Sequence, residues 1–134
     1  MTLIEWTSNE ELNVAEIDCQ HKSLVDILNE MHKKLGMAEK ADELLLLNKL
    51  AKELREHFDT EEELMKRYSY VNYFSHKLEH DRYYNKVVQF AQKVKDDEDS
   101  ISLEFLQSAK RWLFNHLELN DKKCGAYLAS KGIK

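Results

Sequence analysis

The chain has 134 residues, no proline, three glycines, two cysteines and six histidines, with a formal net charge of −5 at pH 7. Its length suits one domain with its own core, and so few turn residues exclude a sandwich or barrel. Twenty basic against 25 acidic residues leave no basic stripe, so nucleic acid is not an expected partner, and the longest apolar run, Leu44 to Leu47, is far too short to insert in a membrane.

Residues 1–17 show no helical period and are expected to form an extended arm, packed across the remainder through Trp6, Leu12, Val14 and Ile17. No basic segment followed by an apolar one opens the chain, so no signal peptide is expected and the cytoplasm is the expected location. The first helix is predicted over 18–36, with Asp18 as N-cap, the inward stripe Ile17, His21, Leu24, Leu28, Met31, Leu35, and Gly36 as stop. The second is predicted over 42–68, with the stripe Leu47, Leu50, Leu54, His57, Glu61, Leu64, Tyr68. A turn from Ser69 to Asn72 leads, with Asn72 as cap, into a third helix over 73–95 carrying Tyr73, His76, His80, Tyr83, Val87, Phe90 and Val94. The acidic stretch Asp96 to Asp99 reads as a loop before a fourth helix over 100–119, with Ile101, Phe105, Trp112 and His116 on one side. The tail, 120–134, is expected to add a short helix from Cys124 to Ser130. Apolar steps of three and four with short connections predict an all-α fold: one domain over 1–134, an up-down antiparallel four-helix bundle.

The residues that interrupt the apolar stripes carry the functional signal. Five of six histidines fall on those stripes, with Glu61 among them. A buried imidazole needs a donor and an acceptor partner, and a buried carboxylate must be paired or bind a metal. His57 and Glu61 stand at i and i+4, as do His76 and His80, so each pair shares a helical face. In an up-down bundle His21, His57 with Glu61, His76 with His80, and His116 all arrive at the same end. Asp121 follows His116 by five residues, about 140° away round a regular helix. A left-handed break at Asn120 would bring Asp121 back, but spacing leaves it open. His32 lies about 16 Å along the helix from His21 and cannot serve the same centre. Donor types alone admit iron, zinc or manganese.

Gln20-His21-Lys22, His57-Phe58-Asp59-Thr60-Glu61-Glu62, His76-Lys77-Leu78-Glu79-His80 and His116-Leu117-Glu118-Leu119-Asn120-Asp121 resemble the successive motifs of the hemerythrin family. The likeness covers essentially the whole chain. It is nearest to the single-domain bacterial members, whose N-terminal tryptophan and Asn-Val segment resemble Trp6 and Asn13-Val14. The resemblance implies a non-haem centre of two iron ions, Fe2+ or Fe3+, with a bridging oxo or hydroxo group. It places His76, His80 and His116 on one iron and His21 with His57 on the other. Glu61 and Asp121 would bridge the pair, and dioxygen would bind at the two-histidine iron.

The donor set is consistent with reversible binding. Ferritin-like di-iron bundles carry mostly carboxylates, whereas five imidazoles and two carboxylates stabilise high-valent iron less and favour holding oxygen over cleaving it. Gln20, Glu62, Glu79, Tyr83 and Tyr84 are candidates to orient the imidazole rings. Ile17, Leu24, Phe58, Trp112, Leu113 and Leu117 are candidates for a water-excluding pocket. The expected function is oxygen storage, delivery or scavenging by a monomer that is not an enzyme and has no identifiable protein partner. A sensor of oxygen, redox state or nitric oxide is the alternative, as is a peroxidase-type di-iron enzyme. Because the bundle fills the sequence, with no output domain, the carrier is preferred. Cys19 and Cys124 are expected to be reduced and inert, with a redox switch as the alternative.

Overall fold

The computed structural model describes residues 3–4, 15–37 and 39–132, leaving aside the side chains of residues 15, 16 and 119. Four long helices form its body: α1 (Ala15–Lys33), α2 (Lys40–Arg67), α3 (Tyr73–Lys95) and α4 (Leu103–His116). A π-helical turn, Leu117–Asp121, joins α4 without interruption to α5 (Lys122–Ser130). Helix α2 packs along α1 and α3, and α1 along α4. The stacked pairs Tyr83–Trp112 and Phe90–Phe105 join α3 to α4. This is the expected four-helix bundle.

Helix ends follow local chemistry. The segment Lys40 to Arg67 holds no Gly or Pro and is rich in Ala, Leu, Glu and Lys, the residues that lose least on becoming helical. It ends where Ser69 turns left-handed at φ 54°. There the Tyr70 N–H bonds the Met65 carbonyl and the Ser69 N–H that of Lys66, a Schellman closure. Asp97, at φ 60°, closes α3 in the same way through Glu98 to Lys93 and Asp97 to Val94. Gly36, at φ 77°, takes the left-handed position after α1 at no steric cost.

Several expected details are corrected. Helix α1 starts at Ala15 rather than residue 18, so Asp18 lies in its first turn instead of capping it, and Ile17 belongs to the helix instead of the arm. The earlier start stacks the fully buried Ile17 one turn before His21 on the inward face. Trp6, Leu12, Asn13 and Val14 lie outside the described residues. Of the arm, residues 3–4 are described: Ile4 is buried and exchanges two hydrogen bonds with the Asn29 amide, both 2.9 Å, and Lys110 bonds the Leu3 carbonyl. Asn72 precedes α3 but accepts through its carbonyl, from His76 and Ser75, with no cap bond from its side chain. Helix α4 begins at Leu103, capped by the Ser102 hydroxyl accepting from the Phe105 N–H, so residues 100–102 remain in the connection. Its buried face is Leu106, Ala109, Leu113 and His116, one step round from the expected stripe, while Ile101, Phe105 and Trp112 sit half-buried at the seam. Toward the end of α2, Met65 is buried in place of Leu64 and Tyr68.

Two apolar slabs fill the interior. The larger includes Leu24, Leu28, Leu47, Leu50, Leu54, Phe58, Val87, Leu106 and Leu113. The smaller gathers Ile17, Met65, Tyr70, Leu117, Cys124 and Leu128 at the end covered by α5. Between them lies a polar layer.

Candidate metal centre

Each helix contributes to that layer where its inward stripe passes the same level: His21 from α1, His57 and Glu61 from α2, His76 and His80 from α3, and His116 from α4. All six, and Asp121, are no more than 3% exposed. Asp121 reaches the layer through the π turn. A π turn closes i→i+5 bonds, so it absorbs one more residue than an α turn. That extra residue returns position i+5 to the face of His116. The expected left-handed break at Asn120 does not occur, because among the described residues only Ser69 and Asp97 combine a side chain with positive φ.

The donor atoms converge on two points. One nitrogen or oxygen each from Glu61, His76, His80, His116 and Asp121 lie within 4.8 Å of one another, and so do those of His21, His57 and Asp121. Asp121 belongs to both groups. Its Oδ1 stands 2.9 Å from Nε2 of His76 and of His116, while Oδ2 stands 3.0 Å from Nε2 of His21 and 3.9 Å from that of His57. Glu61 also lies between the groups, with Oε1 at 3.2 Å from Nε2 of both His57 and His80 and 3.7 Å from that of His76. Both Glu61 oxygens are nevertheless buried without an aligned hydrogen bond.

Outer partners decide which nitrogen of each ring faces inward. The Thr60 hydroxyl donates to the Glu56 carbonyl and accepts from Gln20 Nε2. Gln20 Oε1 therefore faces Nδ1 of His57 at 3.0 Å and can only accept from it. Nδ1 of His80 donates to Glu62 Oε2 at 2.9 Å, an oxygen that Arg55 also holds at 3.1 Å. Nδ1 of His116 donates to Glu79 Oε1 at 3.2 Å, and Asn120 Nδ2 holds the other Glu79 oxygen at 2.6 Å. With Nδ1 protonated, the inward Nε2 of a neutral ring is a lone pair. Nε2 of His80 and His116 are 3.0 Å apart, as are Nε2 of His21 and His57. Between His80 and His116, whose Nδ1 atoms carry the proton, facing lone pairs repel at that range, so the gap fits a proton or a cation, and the His21–His57 gap has the same width. Two donors bound at right angles to one ion, each at about 2.1 Å, stand about 3.0 Å apart. These residues fit a pair of metal ions.

Without a cation, protons take that place. Burial opposes a charge on His57, but Glu61 and Asp121 outweigh it and raise its pKa from 6.5 to about 9. The same balance raises His76 to about 10 and, with help from Glu79, His116 to about 9. Burial and mutual repulsion would push the two carboxylates up, yet the surrounding imidazoles hold Glu61 and Asp121 well below the usual carboxylate range. Metal binding at such a site must displace protons.

Stacking fixes the rings further. Phe58 lies flat on His80 at 4.0 Å and 9°, and Trp112 flat on His116 at 4.6 Å and 11°. Leu24, Leu54, Tyr83, Trp112 and Leu113, one turn along from the imidazoles, border an apolar gap of about 10 Å³ together with Leu28, Leu50 and Ala109.

The structure thus brings together His21, His57, Glu61, His76, His80, His116 and Asp121, and leaves the half-buried His32 outside both groups. Of the expected orienting residues, Gln20, Glu62 and Glu79 contact ring nitrogens. Tyr83 instead stacks on Trp112, and Tyr84 lies under Arg55. Of the expected pocket, Leu24, Trp112 and Leu113 border the gap and Phe58 braces His80, whereas Ile17 and Leu117 belong to the slab on the far side of the layer. The sequence does not announce Arg55 as the support of Glu62, nor the roles of Thr60 and Asn120 in holding Gln20 and Glu79. Their signal was spacing: Thr60 is three residues after His57, Arg55 is one face with Asp59 and Glu62, and Asn120 is four after His116. Cys19 is exposed, while Cys124 is buried, its thiol pushed up by burial and by the nearby carboxylates.

A helical bundle with imidazoles and carboxylates pooled in one buried layer is built to be able to hold cations. The chain belongs to the hemerythrin HHE cation binding domain family, whose profile matches residues 12–128. It is 28% identical to a bacteriohemerythrin of Methylococcus capsulatus over 131 residues, 97% of this chain and 100% of that one. It is 32% identical to a bacteriohemerythrin of Clostridium acetobutylicum over 123 residues, 88% of this chain and 95% of that one. A crystal structure of wild-type hemerythrin superposes with a TM-score of 0.89 at 28% identity, covering 94% of this chain and 98% of that one.

Proposed function

We propose that this chain binds dioxygen reversibly at a di-iron centre, as a store, carrier or scavenger without turnover chemistry. His76, His80 and His116 would hold one iron, His21 and His57 the other, and Glu61 and Asp121 both. The observation that carries this reading is Asp121, whose two oxygens face two separate sets of imidazoles. Membership of the hemerythrin family supports iron and oxygen as occupants. When bound, the iron pair would supply reversible two-electron redox chemistry and a position for a diatomic ligand. No described helix is long and apolar enough to cross a membrane.

The protein's own part is to hold and to exclude. Gln20, Glu62 and Glu79 fix three rings with Nε2 inward. Phe58 and Trp112 stop two of them rotating. Leu24, Leu54, Trp112 and Leu113 keep water and protons from the layer on its interior side, and α5 closes the other through Cys124 and Leu128. With two anionic ligands among seven, the centre would stabilise high-valent iron less than a carboxylate-rich one, which favours release of oxygen over its cleavage.

The test is an absorption spectrum of the reduced, iron-loaded protein before air, after air and after deoxygenation. A charge-transfer band that appears and then disappears is expected. Irreversible oxidation on first exposure would overturn the carrier reading. Trp112→Ala or Leu113→Ala should accelerate irreversible oxidation in air several-fold, because each opens the apolar border to water; unchanged rates in both would remove that role.

A further inference from the structure

Among the rings, those of His57, His80 and His116 are not held by equivalent groups. His80 and His116 donate to carboxylates, Glu62 and Glu79, whereas His57 donates to a neutral amide, Gln20. An imidazole whose outer N–H meets an anion is a stronger donor at its inner nitrogen, because the anion stabilises positive charge gathered on the ring. None of these partners is incidental. Arg55, which also bonds Asp59 and Asp81, holds Glu62. Asn120 holds Glu79, and Thr60 holds Gln20 with its oxygen toward the ring. The donor sets are unequal as well: five residues converge on one point and three on the other, with Asp121 common to both.

We propose that the cluster takes up metal in order, the His76/His80/His116 subsite first and the His21/His57 subsite second and more weakly, with Glu62, Glu79 and Gln20 setting the difference. This rests on the two-metal reading given above. The first ion meets more donors, two of them strengthened by outer carboxylates. It also engages Asp121, so the second ion arrives at a shared carboxylate already committed and feels the first ion's charge. Glu62, Glu79 and Gln20 are positioning residues: they touch ligands, not metal. The chain therefore passes through a one-ion form in which the subsite proposed for oxygen is the vacant one.

The experiment adds Co2+ alone to the full, metal-free chain and follows uptake by native mass spectrometry and isothermal titration. At one equivalent the one-ion species should predominate, with two dissociation constants at least about tenfold apart. Only empty and two-ion species at every ratio would overturn the proposal. Glu62→Gln and Glu79→Gln should each weaken the first event by roughly 10–100-fold, the usual effect of losing an outer partner of a ligand. Gln20→Glu should tighten the second event and narrow the gap; an unchanged ratio in a variant with wild-type circular dichroism would overturn the role of acceptor charge. His21→Ala should remove the second event and spare the first, and loss of the first instead would reverse the order. Total uptake separates this inference from the reading beneath it. Fewer than two ions in the wild type defeats the two-metal reading, while two ions taken up together defeat only the order.

Discussion

Glu61 and Asp121 are fully buried carboxylates whose ion-pair partners among the described residues are all imidazoles, so their charge is compensated from within the layer. Removing a ligand should therefore remove metal. His76→Ala or His116→Ala is expected to bring iron content well below two per chain, measured on protein reconstituted without oxygen; full iron in both would overturn the ligand assignment. Phe58 tests a different contribution. It is fully buried and lies flat on His80, so Phe58→Ala opens a cavity expected to cost about 3–5 kcal/mol in denaturant unfolding. A cost below about 1 kcal/mol would mean that the site collapses around the loss.

At the scale of elements, the π turn is the device that completes the layer. Since it accommodates one residue more than an α turn, deleting the exposed Glu118 should convert it to regular helix and leave Asp121 at i+4 from His116, still on the same face. Such a variant is expected to retain both metals, whereas an alanine inserted after Glu118 should swing Asp121 away and halve uptake. Ser69 tests the α2–α3 turn. It holds a left-handed conformation that suits glycine, so Ser69→Gly should stabilise the chain by about 0.5 kcal/mol after the entropy of the unfolded chain is subtracted. A thermal midpoint at or below wild type would contradict this. These elements also show what the sequence could reveal. The 3.6-residue period exposed the bundle, α3's limits and the i, i+4 pairs His57/Glu61 and His76/His80, because those depend on one helix at a time. Asp121 was open by periodicity and supplied by resemblance, since a π turn leaves no local signature in composition. The burial of Met65 over Leu64, and of Leu106 over Phe105, depends on how each helix is rotated against its neighbours, which one stripe does not encode.

For the whole molecule, the layer ties stability to pH and to metal. In the metal-free chain His57, His76 and His116 hold protons up to about 9, 10 and 9 against an ordinary 6.5. Preference for the proton in the folded state contributes stability in full below pH 6.5, and that contribution is lost as pH rises through 9 to 10. Glu61 and Asp121, held low, work in the opposite sense and withdraw their contribution in acid. The metal-free chain should therefore lose urea resistance between pH 6.5 and 10; a flat or rising midpoint across that span would contradict the charge balance. Metal uptake near neutral pH should release protons, readable with a pH indicator.

The outer partners have a consequence for solvent exchange. The ring N–H groups of His57, His80 and His116 point outward from the polar layer to acceptors of different exposure. Glu62 is 9% exposed at its side chain and Glu79 40%. Hydrogen exchange of a buried N–H requires local opening, and the opening is rarer where the acceptor is more enclosed. In a diamagnetic, zinc-loaded sample the His80 imidazole proton should thus outlast that of His116 after transfer to deuterium oxide. The two signals would act as a pair of clocks, one timing the bundle's breathing near α2 and the other the loosening of its α4 corner.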